Sequence, residues 1–153
     1  MILSNVQTID VFVNSAKLND LKILHLSDLH INKKTNLENV QKLVNLCNDL
    51  VFDFCVITGD IIDTKVKFIK EQLQILNTLK FDVYYISGNH DFFYGLEDLK
   101  NELSNFIFMD NSCKEFIYKN ETIFLAGLPD RFSKFFGIKR EEEKIKNYLL
   151  NEP

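Results

Sequence analysis

The stretch FDFCVITGDIID, residues 52–63, decides how the rest of the chain is read. Its first seven residues are an apolar run broken only by Asp53, with β-branched Val56, Ile57 and Thr58 together. That density suits a strand buried on both faces. Gly59 then permits a sharp turn, and Asp60 and Asp63 follow at once. Carboxylates at the end of a buried strand are costly to desolvate unless something pairs with them. The layout occurs twice more. LKILHLS (21–27) runs into Asp28-Leu29-His30, and FDVYYIS (81–87) runs into Gly88-Asn89-His90-Asp91.

Helical spacing fills the gaps between these runs. Residues 36–51 place Leu37, Val40, Leu43, Val44, Cys47, Leu50 and Val51 on one face, with Asn36 as N-cap. Residues 65–80 do the same with Phe68, Ile69, Leu73, Leu76 and Leu79. Alternating strands and helices predict βαβ units and a parallel sheet. Open sheets of this kind bind ligands just beyond the carboxyl ends of their strands. If the three runs are neighbours, Asp28, His30, Asp60, Asp63, Asn89, His90 and Asp91 meet on one edge.

Elsewhere the expectations are a first strand over TIDVFVN (8–14), a turn at KLND (17–20) and a shorter helix over 95–104. NFIFMD (105–110) follows as a further strand. CKEFIYKNETIFLAGL (113–128) reads as a hairpin around Lys119-Asn120-Glu121, and 139–152 as a helix with Ile145, Tyr148 and Leu149 on its apolar side.

With 153 residues, 46% hydrophobic and 26% charged, the chain suits one soluble domain with its own core. A net charge of −4 argues against a nucleic-acid surface. No apolar stretch approaches the roughly 18 residues that cross a bilayer, and MILSNVQTIDVF carries no basic n-region. Cys47, Cys55 and Cys113 lack the spacing of a disulfide framework or zinc knuckle. Buried, reduced thiols and a cytoplasmic setting follow.

The chemistry these strand ends suggest is metal binding. Carboxylate oxygens from Asp28 and Asp60, an imidazole from His30 and the Asn89 carbonyl suit Mn, Fe or Zn better than Ca or Mg. Clustered carboxylates without a cation repel one another. No G-x-G-x-x-G, P-loop or G-x-S-x-G pattern competes for these residues.

SDLH (27–30), GDIID (59–63) and GNHD (88–91), in this order, resemble the first three signature blocks of the calcineurin-like metallophosphoesterases. LKILHLSDLHI, ISGNHDFFYG and LAGLPD look most like the bacterial subgroup associated with the inner membrane. The resemblance implies an α/β fold, a β-sandwich flanked by helices (α/β/β/α), in a single domain over 1–153 with its motif core at 21–130. It implies two divalent ions: Asp28 and His30 on the first, Asp60 bridging, Asn89 on the second. His90 would contact the phosphate or leaving oxygen as general acid, Asp91 would orient His90, and Asp63 would support the ligands. The implied substrate is a phosphomonoester or phosphodiester, cleaved while two cations stabilise the developing charge.

The family pattern continues with a further His and a G-H-x-H block, whereas the three histidines here are His25, His30 and His90. The expectation is that the C-terminal part of the domain is missing and the second metal site incomplete. The alternative is a catalytically incomplete module kept for binding. His25 reads as a sheet-face histidine, and Phe92, Phe93 and Tyr94 as pocket wall or core. Arg131, Lys134, Lys139 and Arg140 form a basic cluster that could meet phosphate or the inner face of a membrane.

Overall fold

The computed structural model describes residues 6–13 and 16–151. Four parallel strands form one sheet in sequence order: β1 (Ile23–Leu26), β2 (Phe54–Ile57), β3 (Val83–Tyr85) and β4 (Phe106–Phe108). Alternation decides what each face meets. Cys55, Ile57, Val83 and Tyr85 point into the large core, under α1 (Leu37–Asp49), α2 (Lys70–Leu76) and α4 (Leu96–Glu102). Phe54 and Tyr84 point the other way, onto Phe116 and Leu125 of a second layer.

That second layer is the antiparallel hairpin of β5 (Ser112–Tyr118) and β6 (Glu121–Gly127). Lys119 and Asn120 turn it with φ of 49° and 65°, the double positive φ of a type I′ connection. Phe116 stacks on Phe54 with ring centroids 5.0 Å apart and meets Tyr84 edge-on at 4.9 Å. α5 (Glu142–Asn151) covers the outer side of the hairpin, burying Ile145 and resting Tyr148 against Phe124. The order helix, sheet, sheet, helix is thus present among the described residues, with four strands facing two.

Two expectations need correction. Residues 8–13 form no strand: Ile9, Val11 and Phe12 are 78%, 77% and 98% exposed, and no described strand pairs with them. Their alternation lacks the partner edge that would turn it into a ladder; Asn14 lies outside the described residues. The helix expected over 65–80 is a 3₁₀ turn at Val66–Phe68 followed by α2, because Ile69 sits at φ −135° and breaks the spiral. One element had no counterpart in the sequence reading: residues 89–94, after β3, form a short helix, α3 (Asn89–Tyr94), closed by Gly95 at φ 116°.

Register positions the site. Leu26 pairs with Ile57, Ile57 with Tyr85, and Tyr85 with Phe108. The strands therefore end level, and the loops after β1, β2 and β3 emerge side by side.

Candidate metal centre

The loops after β1 and β2 extend the sheet's ladder beyond the strands. Asp28 N–H donates to Gly59 O (3.2 Å), His30 N–H to Asp60 O (3.0 Å) and Ile31 N–H to Ile61 O (2.9 Å). These bonds hold Asp28, His30 and Asp60 at φ of 55°, 43° and 55°. The left-handed region costs a non-glycine residue about 1 kcal/mol, and such strain persists where the surroundings over-determine it.

The loops after β2 and β3 approach even more closely. A Cβ on Gly59 would fall 2.5 Å from Gly88 N, and one on Gly88 would fall 2.1 Å from Asp60 Oδ1. Only two glycines allow this contact. His90 N–H donates to Asp60 Oδ1 at 3.0 Å. Asp110, just after β4, fixes Ser87 from below by accepting its N–H at 3.0 Å and its hydroxyl.

Asp91 was expected to orient His90, but it does something else. Its carboxylate is fully buried and accepts four backbone N–H groups: Ile61 and Ile62 on Oδ1 (2.9 and 3.2 Å), Asp60 and Gly88 on Oδ2 (both 2.9 Å). Burial pushes its pKa up to about 6, against the pull of the Gly88 and Ile62 N–H groups. Asp63 takes the contact instead. His90 Nδ1 lies 2.9 Å from Asp63 Oδ1. The reason is direction: at the third position of α3, Asp91 points back under the helix start, while Asp63 reaches His90 from the neighbouring loop.

Two groups of ligand atoms result, and His30 belongs to both. Those of Asp28, His30 and Asp60 lie within 4.8 Å of one another, as do those of His30, Asp63 and His90. The rings of His30 and His90 meet edge-on with centroids 4.6 Å apart. Asn89 lines a cleft of about 540 Å³ together with Asp28, Asp60, Gly88 and Asp130. His25 stays outside both groups, with Nε2 2.7 Å from Thr58 Oγ1.

These residues fit divalent cations. Among the described residues, the carboxylates Asp28 and Asp63 have only histidines as ion-pair partners, Asp28 with His30 and Asp63 with His90. A mixed oxygen and nitrogen donor set at this spacing is what first-row transition metals prefer. Of the basic cluster seen in the sequence, Arg140 alone lines this cleft, with Nε 3.1 Å from Glu142 Oε1. Its place in one cleft with Asp28 and Asp60 had no signal beyond its charge, since the chain between Asp60 and Arg140 builds two further strands and the hairpin before it folds back.

A family model of calcineurin-like phosphoesterases matches residues 21–150. The chain belongs to this family. An uncharacterised metallophosphoesterase of Campylobacter jejuni is 33% identical over 96 residues, covering 61% of this chain and 25% of that protein. One from Helicobacter pylori is 30% identical over 111 residues, covering 71% and 28%. A Danio rerio transmembrane protein with metallophosphoesterase domain is 32% identical over 78 residues, covering 50% and 18%. The phosphoesterase chain thus spans about a quarter of the length of these curated relatives. Among its described residues no helix is long and apolar enough to cross a membrane.

Proposed function

We propose that this calcineurin-like phosphoesterase chain hydrolyses a phosphomonoester or phosphodiester with two divalent cations held at the ends of β1, β2 and β3. Asp28 and His30 would hold one, Asn89 the other, and Asp60 would stand between them. When bound, the cations neutralise charge on the phosphoryl oxygens and activate water. The chain's own part is acid catalysis. Nδ1 of His90 faces Asp63 at 2.9 Å, and this single contact carries the assignment of roles. It orients the ring and leaves Nε2 to hand a proton to the departing oxygen.

A second reading rests on the other ligand group, in which Asp63 and His90 join His30. There both would be metal ligands. The same experiment separates the two: calorimetric titration with Mn²⁺, alongside hydrolysis of an aryl phosphate and a bis-aryl phosphodiester. Asp60→Asn is expected to cut Mn²⁺ affinity and turnover by about a hundredfold or more. Asp63→Asn is expected to lower kcat roughly tenfold to a hundredfold with Mn²⁺ affinity nearly unchanged. Undiminished turnover in Asp60→Asn overturns the proposal, and loss of Mn²⁺ binding in Asp63→Asn favours the second reading. Tight Mn²⁺ binding with no turnover of either substrate favours a metal-holding module.

A further inference from the structure

The cleft of Asp28, Asp60 and Asn89 has an apolar neighbour. A second cavity of about 480 Å³ opens beside α3, walled by Phe93, Tyr94, Phe132, Phe135 and Phe136. Asn89 lines both, and His90 lines the second. A group bonded to a phosphate in the cleft and leaving past His90 therefore passes directly onto these rings.

The rings are held, and they are exposed. Asp130 accepts the Phe132 N–H at 2.7 Å and starts the 3₁₀ turn Arg131–Phe136, which Gly137 closes at φ 75°. Phe136 stacks on buried Phe92 of α3 with centroids 5.5 Å apart, fixing the turn against the short helix. On this base Phe93, Phe132 and Phe135 remain 73%, 54% and 70% exposed. A cluster of large exposed apolar rings on an ordered frame marks a binding surface rather than scattered surface hydrophobics. The same turn carries Arg131 and Lys134, the latter with Nζ 5.1 Å from the Phe135 ring centroid. Cations beside an apolar wall complement an anionic amphiphile.

We infer that this cavity is the subsite for an apolar group esterified to the substrate's phosphate, so that the preferred substrates are phosphoesters of alkyl or aryl alcohols. The inference rests on the phosphoesterase reading and names its substrate class. Each methylene moved from water onto the rings strengthens binding by roughly fourfold, while small polar phosphoesters leave the wall wet.

The test is calorimetric binding of methylphosphonate and octylphosphonate, the latter below its micellar concentration, to the Mn²⁺-loaded 153-residue chain. Octylphosphonate is expected to bind at least tenfold tighter. The double variant Phe93→Ser/Phe135→Ser should erase that advantage and keep the methylphosphonate affinity. Ile117→Ser, which removes an exposed apolar side chain from β5 (81% exposed), should change neither. Equal affinities, or an octyl advantage that survives the double variant, overturn the inference. So does a wild-type dimer in sedimentation, or co-pelleting with anionic vesicles, that the double variant abolishes without any octyl preference. If neither phosphonate binds the Mn²⁺-loaded chain, the phosphoesterase reading fails and this inference falls with it. Methylphosphonate binding without an octyl advantage leaves that reading standing and removes this one alone.

Discussion

Asp91 ties two loops of the site together with a single carboxylate. Two oxygens answer four backbone donors drawn from two loops. Truncation to alanine would orphan these N–H groups in a buried place, where each unmet donor costs about 1–3 kcal/mol. Asp91→Ala is therefore expected to lower the unfolding free energy by about 4 kcal/mol in urea denaturation with chelator present. Asp91→Asn should lose roughly half as much, since its oxygen keeps one pair of donors while its amide faces the other pair. A loss below about 1 kcal/mol in both would refute the clamp. The sequence marked Asp91 for the site, and the structure keeps it there in a different capacity. Spacing alone could not separate Asp91 from Asp63, because each stands within about one helical turn of a glycine, Asp91 after Gly88 and Asp63 after Gly59. Only the neighbouring loop decides which carboxylate reaches the imidazole.

At the scale of elements, α3 shows what the sequence left obscure. The stretch 89–94 is too short for a periodic signal, and the glycines at 88 and 95 read as turn residues. Its existence depends on contact with the β2 loop. Gly88→Ala tests this, since the new Cβ would stand 2.1 Å from Asp60 Oδ1 and 2.4 Å from Asp60 N. Asp60 and α3 must then part. Mn²⁺ affinity is expected to fall at least tenfold, and the melting temperature by several degrees; calorimetry and thermal unfolding check both. The strands with dense apolar runs were legible because burial on both faces leaves an unmistakable pattern. The alternation at 8–13 resembles them, yet a strand is a pairing, and one chain segment cannot supply both sides.

The whole molecule is a thick helix-and-sheet body carrying a thin second layer, and its thiols report that difference. Burial pushes Cys47 up to about 11 and Cys55 up to about 12, and both lie in the main core. At pH 8 they stay protonated and unreactive. Cys113 lies half-buried on β5, outside that core. Native labelling with an alkylating reagent at pH 8 should modify Cys113 first and leave the other two intact for as long as the fold holds. Labelling of Cys55 at a comparable rate would show that the main layer opens as readily as the hairpin. The sequence's view of three buried thiols holds for two of them. The third follows the hairpin, whose outer cover among the described residues is α5 and whose alternating pattern gave no measure of how much would lie on top.

The Asp91 clamp also bears on how fast a ligand can come and go. The turns after β2 and β3 are tied together by a side chain of the protein itself, so their shape does not wait for an ion or a phosphate. Nothing has to be ordered on arrival and nothing has to unravel on departure. Exchange at such a rim is governed by diffusion and by the strength of individual coordinating bonds, and the loops behave as a rigid socket rather than as closing jaws.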